Sequence, residues 1–212
     1  MPPSLNTPLR RLTVGFDLDM TLIDSRPGIH ASYRQLSEET GSFIDADLAV
    51  SRLGPPLEEE LAHWFPAERI AAVAARYREI YVTRAIDAVP ALPGAREAIA
   101  AVHAHGGRAI VVTAKYEENA KRHVAHLGLD ADAVIGDLWA EAKAGALRTH
   151  GATVYVGDHT ADVRGAHAAN ALSVAVATGP CDAAALAEAG AEAVLPDLTA
   201  FPAWLDAHVG AA

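Results

Sequence analysis

Two carboxylates stand two positions apart at the end of a short apolar segment. Residues 12–16 are mostly apolar, and Asp17 and Asp19 follow them directly. In an extended chain, residues at i and i+2 project to the same side. Acids this close repel each other, and folding tolerates them best with a cation between them or with a shared proton. A plain acidic turn at the end of a strand is the alternative interpretation.

Two other apolar segments also end in polar residues. Thr113 follows residues 108–112, and Asp158 follows residues 152–156 and Gly157, with Asp162 four positions further on. In an open parallel sheet, ligands bind beyond the carboxyl ends of the strands, so these side chains are expected at one edge. Clustered carboxylates offer the hard oxygen ligands that Mg²⁺ prefers. The pattern therefore predicts a magnesium site.

The elements that must position these residues alternate between strand and helix. The three apolar segments are nearly continuous, as expected of strands buried on both faces. Weaker strands are predicted at 133–136, 172–177 and 193–195, and helices at 94–105, 116–127, 141–150 and 160–170. Alternation of this kind predicts an α/β fold with a doubly wound parallel sheet.

One long stretch interrupts the alternation. Residues 25–89 contain no convincing strand and show only helical patterns, which is far too long for a loop inside a compact domain. We predict an inserted all-helical subdomain. The expected organisation is an α/β core at 9–23 and 90–212, a helical insert at 24–89 and a flexible tail at 1–8.

Composition limits the partners of the protein. The chain of 212 residues carries a formal net charge of −10 and has no basic run, which argues against nucleic acid and membrane surfaces as partners. No apolar run approaches the roughly 20 residues of a membrane span. Cys181 is the only cysteine, which fits a reducing cytoplasm. No GxGxxG motif follows the first strand, which disfavours a NAD-binding module.

Four motifs in order resemble the haloacid dehalogenase superfamily. DxDxT reads Asp17-Leu18-Asp19-Met20-Thr21, the second motif is Thr113, the third is Lys143, and GDxxxD reads Gly157-Asp158-His159-Thr160-Ala161-Asp162. The helical insert resembles the C1-type cap of that superfamily. Segments 24–27, 52–57, 77–81 and 92–94 are most similar to phosphoglycolate-phosphatase-like members.

The resemblance implies a magnesium-dependent phosphatase that forms an aspartyl-phosphate. Asp17 would be the nucleophile, and Asp19 the acid and base that protonates the leaving oxygen and then activates water. The metal would be held by Asp17, the backbone carbonyl of Asp19 and Asp158. Thr113 would bind a phosphoryl oxygen.

Two further roles follow from the same resemblance. Lys143 would pair with both Asp17 and the transferring group, although a solvated helical lysine is the plainer interpretation. Asp162 would orient the metal shell without binding the metal directly.

The substrate-binding residues are predicted on weaker grounds. The stiff loop from Arg52 to Pro56, which includes Gly54, is a candidate specificity element, and Lys115 and His159 are candidate contacts. The expected partner is a small phosphorylated metabolite. Phosphoglycolate is the default of the subgroup, while sugar phosphates, nucleotides and pyrophosphate stay open, as does a monomer or a homodimer.

The superfamily that the sequence resembles includes several other activities, and the sequence bears on each of them. Asp19 argues against a dehalogenase, the lysine-free segment 24–89 against a Schiff-base phosphonatase, and the missing membrane spans against a transport ATPase. A phosphomutase is weakened because Ile29 occupies the position of the usual cap histidine, with His30 one further on. A catalytically idle relative that binds a phospho-ligand or a protein also stays open. Met20 stands where glycine is usual, so the turn after the acids is expected to be re-aimed.

Overall fold

The described residues form one parallel sheet. A computed structural model describes residues 12–210; the predicted tail at 1–8, residues 9–11 of the predicted core and residues 211–212 lie outside this range. Its strands are β1 (Thr13–Phe16), β2 (Arg108–Val112), β3 (Ala133–Ile135), β4 (Val154–Gly157), β5 (Leu172–Val176) and β6 (Ala193–Leu195). The order is β3-β2-β1-β4-β5-β6, and every neighbouring pair is parallel. The predicted doubly wound α/β fold is confirmed.

Both faces of the central strands are buried. Val14 and Phe16 of β1 point into one apolar layer, whereas Ile110 of β2 and Tyr155 of β4 point into the other. All four side chains are fully buried. Burial on both faces explains why these strands read as continuous apolar segments and not as alternating ones.

The described residues also form ten α-helices. They are α1 (Arg26–Thr40), α2 (Ala46–Ser51), α3 (Leu57–Leu61), α4 (Ala67–Arg84), α5 (Ala95–Ala104), α6 (Glu117–His126), α7 (Lys143–Thr149), α8 (Thr160–Ala169), α9 (Ala183–Glu188) and α10 (Phe201–Gly210). Helix α10, which packs on α5, was not predicted from the sequence. No helix between residues 12 and 210 combines the length and the apolar composition needed to cross a membrane.

The long interruption after β1 is helical, as predicted. Helices α1 to α4 follow one another between β1 and α5, and α1 packs along α4. Two tyrosine rings, Tyr33 of α1 and Tyr77 of α4, lie 4.8 Å apart in this contact. Helix α4 also touches α6, so the helical segment contacts the sheet-bearing part of the chain. The boundaries predicted for the insert, 24 and 89, stay a prediction.

A glycine joins the helical segment back to the α/β core. Gly94 precedes α5 with a left-handed φ of 83°, and a Cβ at this position would overlap the backbone of Leu198 and Thr199. Gly106, after α5, has a similar φ of 68°, but nothing lies within 4 Å of its Cβ position. Alanine would be strained at both positions, but it would overlap with neighbouring atoms only at Gly94, so comparing the two substitutions separates backbone strain from steric overlap.

We expect Gly94→Ala to lower the free energy of unfolding by about 2–4 kcal/mol, because left-handed strain and overpacking add. Gly106→Ala, the matched control, should lower it by only about 1–2 kcal/mol, since strain acts alone. Urea unfolding of both variants measures the difference. Equal losses would contradict the steric role of Gly94.

Candidate active site

Three adjacent strands bring the predicted polar residues to one edge of the sheet. Asp17 follows β1, Thr113 follows β2 and Asp158 follows β4, and β1 lies between the other two strands. The strand order reverses at β1, which is the switch point where ligands bind in open α/β sheets. All three residues are buried and line one cavity. The structure therefore brings together residues that lie up to 141 positions apart.

A tight turn after β1 orients the two acids of the first motif. The carbonyl oxygen of Leu18 accepts hydrogen bonds from the backbone amides of Thr21, Leu22 and Ile23. Met20 adopts a φ of 59° within this turn, which is the left-handed region that favours glycine. The hydroxyl of Thr178 donates to the carbonyl of Met20 at 2.6 Å and anchors the strained residue.

Lys143 is the centre of a buried ionic network. It is only 1% exposed, and its Nζ donates to Asp17 at 2.8 Å, to Asp162 at 2.7 Å and to the hydroxyl of Tyr155 at 2.7 Å. The Tyr155 hydroxyl in turn donates to the carbonyl of Val112 at 2.7 Å. Burial alone would lower the pKa of Lys143, but the charges of Asp162 and Asp17 overcome this and raise it above its usual value. Lys143 is therefore a fixed cation, not a solvated helical lysine.

Asp162 is held by the start of α8 as well as by Lys143. Its Oδ2 accepts a hydrogen bond from the backbone amide of His159 at 3.1 Å, while the His159 ring accepts one from the amide of Ala161 at 3.0 Å. Together these contacts form a reciprocal cap on the helix. Both oxygens of Asp162 thus have protein partners.

Asp17 and Asp158 carry charge that the protein only partly relieves. Burial raises the pKa of Asp17 to about 7 against the opposing charge of Lys143. Burial, with the charges of Asp162 and Asp17, raises the pKa of Asp158 well above its usual range, although Thr21 donates a hydrogen bond to it at 2.8 Å. A bound cation is the most effective way to stabilise the charged forms of these two carboxylates.

The same carboxylates satisfy the geometry of a metal site. One oxygen from each of Asp17, Asp158 and Asp162 lies within 4.8 Å of the others. Oxygen ligands at a buried strand edge suit Mg²⁺, so the donor set fits the predicted ion. Asp17 and Asp158 are the better ligands of the three, since both oxygens of Asp162 already accept hydrogen bonds.

A second buried network begins at Asp19. Lys115 donates to Asp19 at 2.8 Å, and its Nζ lies 4.4 Å from the centre of the Tyr81 ring. The Tyr81 hydroxyl is 2.9 Å from the Nε2 of His123, which is fully buried. Burial would raise the pKa of Asp19, but the Lys115 charge overcomes it and lowers the pKa below its usual value.

The helical segment closes the cavity from the other side. The cavity measures about 360 Å³ and lies between the strand ends and the helices α1 to α4. Gly54, with a φ of 133°, sits against the core, where an added Cβ would lie 3.1 Å from both His159 and Trp139. The candidate specificity loop therefore reaches across the site.

The four residues that the sequence suggested as substrate contacts all line this cavity. Its lining includes Arg52, Gly54, Lys115 and His159. Lys115 contacts Asp19 directly, whereas Arg52 is ion-paired to Glu60 at 2.6 Å. Their roles toward a substrate stay predictions.

Several residues of the site were not predicted from the sequence. Tyr155, Tyr81 and His123 complete the two networks, and Tyr33 and Tyr77 line the cavity. The only sequence signal was the position of Tyr77 and Tyr81 in the segment that resembled phosphoglycolate-phosphatase-like members. For Tyr155 there was none, because it reads as one more apolar residue of β4.

Comparison with known proteins assigns the family. The model of the haloacid dehalogenase-like hydrolases matches residues 14–176, so the chain belongs to this family. The solved structure of the haloacid dehalogenase-like family protein SP0104, a hydrolase from Streptococcus pneumoniae, superposes with a TM-score of 0.80 at 23% identity, covering 94% of this chain and 99% of that one. The predicted family and fold are confirmed.

Two curated relatives are more similar in sequence. The tyrosine-protein kinase PtkA of Mycobacterium tuberculosis is 31% identical over 178 residues, which cover 77% of this chain and 61% of PtkA. The pyrophosphatase PpaX of Halalkalibacterium halodurans is 32% identical over 120 residues, which cover 56% of this chain and 55% of PpaX. The chain thus spans about three fifths of the length of the curated relatives it matches.

We expect His123 to make stability depend on pH. Burial, with the charges of Lys115 and His126, lowers the pKa of His123 from its usual 6.5 to about 4, although Asp19 opposes the shift. Between these values the unfolded chain binds more protons, so the folded state is destabilised as pH falls from 6.5 toward 4. The loss should be on the order of 2 kcal/mol.

The measurement is urea unfolding of the wild type and of His123→Gln at pH 7 and pH 4.5. The wild type should lose more stability than the variant over this interval, because only in the wild type does unfolding free a neutral, buried imidazole that then binds a proton. The exposed His63→Gln serves as control and should follow the wild type. Parallel pH profiles for His123→Gln and the wild type would contradict the assignment.

Proposed function

We propose that the protein is a magnesium-dependent phosphatase that hydrolyses a small phosphate monoester through an aspartyl-phosphate on Asp17. The observation that carries the proposal is that two buried carboxylates with incompletely neutralised charge, Asp17 and Asp158, line one cavity together with a buried lysine. Such a site attracts a divalent cation and then an anionic substrate. A purely structural core would avoid this concentration of charge.

Asp17 would act as the nucleophile of the first step. One of its oxygens attacks phosphorus as the bond to the leaving oxygen breaks, and the phosphoryl group passes to Asp17. Lys143, held 2.8 Å from Asp17, opposes the negative charge that accumulates between the two anions. Thr113 lines the same cavity and would donate its hydroxyl hydrogen to a phosphoryl oxygen.

Mg²⁺ would be held by Asp17, Asp158 and the backbone carbonyl of Asp19, and when bound it supplies positive charge that lets a carboxylate approach a phosphate. Asp162 would act on this site from outside, since it holds Lys143 and caps α8. Its contacts would keep Lys143 directed at Asp17.

Asp19 would carry the protons of both steps. It lines the cavity beside Asp17, and Lys115 holds it in the charged form in the free protein. A phosphoryl group bound beside it would add a second negative charge, so Asp19 would take up a proton on binding and give that proton to the leaving oxygen. It would then take a proton from the water that attacks the aspartyl-phosphate. Lys115, 2.8 Å from Asp19, would hold the carboxyl group in position for these transfers.

The cavity favours hydrolysis over phosphomutase chemistry. Ile29, at the position where the mutases carry a cap histidine, lines the cavity with an apolar side chain. His30 pairs instead with Asp47 at 3.2 Å, and Asp47 is almost fully exposed. The residue that would assist a mutase is therefore directed away from the phosphoryl site.

The substrate would be a small phosphorylated metabolite, and the protein would act on it in the cytoplasm as a monomer or a homodimer. The loop from Arg52 to Pro56 would contribute to specificity, because it lines the cavity and Gly54 closes onto His159.

The decisive experiment is a hydrolysis screen over phosphate monoesters with Mg²⁺ and with a chelator, using the wild type and Asp17→Asn. We expect activity only with Mg²⁺ and a loss of at least about 10³-fold in Asp17→Asn, because a carboxamide cannot take the phosphoryl group. The exposed Asp130→Asn is the matched control. Asp17→Asn should stay folded in thermal unfolding, since it removes a desolvated charge. Retained activity would overturn the nucleophile assignment.

Lys143→Ala should lower kcat/KM by at least about 100-fold, the usual effect of losing one transition-state stabiliser. It should also lower the free energy of unfolding by about 3–5 kcal/mol, because Asp17 and Asp162 lose their cation in the interior. Lys121→Ala, an exposed lysine of α6, provides the control for both measurements. Wild-type activity in Lys143→Ala would contradict its role.

A further inference from the structure

The part of the cavity farthest from the sheet has aromatic walls. Tyr33 and Tyr77 pack 4.8 Å apart, and Tyr77 and Tyr81 pack 5.9 Å apart, so that three rings form one wall on α1 and α4. Tyr116 and Trp139 line the cavity from the core side. Rings on two sides of a cavity favour a flat apolar group between them.

Each cation on this side of the cavity is neutralised by the protein itself. Arg52 donates to Glu60 through two nitrogens, at 3.1 and 2.6 Å, and Arg78 donates to Glu58 at 2.6 Å. Both glutamates also line the cavity. Among residues 12–210, every lysine and arginine of the lining has a carboxylate partner, because Lys115 and Lys143 pair with aspartates.

This pairing selects against an anionic leaving group. A carboxylate or second phosphate entering the aromatic side would have to displace Glu58 or Glu60 or lie beside it without a free cation. Removing charge from water without a partner is strongly unfavourable. Carboxylates placed against a competing ligand are a recognised source of specificity.

The volume of the cavity also favours a ring as the leaving group. A cavity of about 150 Å³ can hold a benzene ring. The volume of about 360 Å³ therefore holds a ring together with a phosphoryl group. A two-carbon acid such as glycolate would leave much of the aromatic wall without a contact.

Arg78 and Tyr33 each offer a polar group to a ligand on this side, since the buried Nε of Arg78 also has no hydrogen-bond partner among the described residues. Tyr33 is 3% exposed and lines the cavity, and among the described residues its hydroxyl has no hydrogen-bond partner. Burial raises its pKa above the usual range, so the hydroxyl keeps its proton and can donate it. A buried donor without a partner costs free energy that an acceptor on a ligand would recover.

We propose that the leaving group of the substrate is an uncharged, planar ring that lies between the tyrosine wall and Tyr116–Trp139, and that Glu58 and Glu60 exclude anionic leaving groups by neutralising Arg78 and Arg52. The proposal rests on the proposed phosphatase function, because the ring is placed by a phosphoryl group at Asp17. It distinguishes the substrate from phosphoglycolate and from pyrophosphate.

The test compares two phosphonates that cannot be hydrolysed, so that leaving-group reactivity plays no part. Phenylphosphonate carries an uncharged ring and phosphonoacetate carries a carboxylate. In calorimetric titrations of the full chain with Mg²⁺, phenylphosphonate should bind at least tenfold more tightly. Tighter binding of phosphonoacetate would overturn the proposal.

Glu60→Gln tests the exclusion directly. It frees Arg52, so the preference for phenylphosphonate over phosphonoacetate should fall at least tenfold, and Glu58→Gln should act in the same direction through Arg78. Glu59→Gln is the matched control, since Glu59 lies between them but is exposed and outside the lining. An unchanged preference in both Glu58→Gln and Glu60→Gln would overturn the exclusion role.

Hydrolysis of phenyl phosphate and phosphoglycolate, measured alongside, separates the two proposals. Activity on phosphoglycolate combined with tighter phosphonoacetate binding refutes the aromatic leaving group and leaves the phosphatase function standing. No binding of either phosphonate and no hydrolysis of any monoester refutes both.

Discussion

The site depends on one buried cation. Lys143 is held by two carboxylates and one phenol, and the groups that hold it come from β1, β4 and α8. An unpaired lysine or unpaired aspartates would be strongly unfavourable in this interior, so the elements must stay in register for any of the four groups to be tolerated. Lys143 itself lies on α7, so the network makes the relative position of four elements a condition of stability.

The network does not neutralise all of the negative charge of the site. Lys143 offers one positive charge to several acids, and within residues 12–210 the hydroxyl of Thr21 is the only direct hydrogen-bond partner of the Asp158 side chain. The remaining charge is an electrostatic cost in the isolated protein. A bound cation converts this cost into affinity, which is why poorly relieved carboxylates mark functional sites more often than structural ones.

The helical segment divides the chemistry between two sides of one cavity. The strand ends supply the aspartates and Thr113, whereas α1 and α4 supply tyrosines and α3 supplies glutamates. At Gly54 the two sides approach so closely that an added Cβ would lie 3.1 Å from both His159 and Trp139. Catalysis and selection of the leaving group can therefore vary independently, because they depend on different elements.

The sequence by itself determined the strands, the helical insert and the acids at the strand ends. These features are local: continuous apolar segments indicate buried strands, and parallel strands bring their ends to one edge. Asp17 and Asp158 could be named for that reason, whereas Lys143 could be named only through the family resemblance. Only the tertiary structure decided that Lys115 binds Asp19, that Tyr155 supports Lys143 and that glutamates neutralise the cavity arginines. These pairings join segments that are distant in the chain, and they depend on how helices pack on the sheet, which no local pattern encodes.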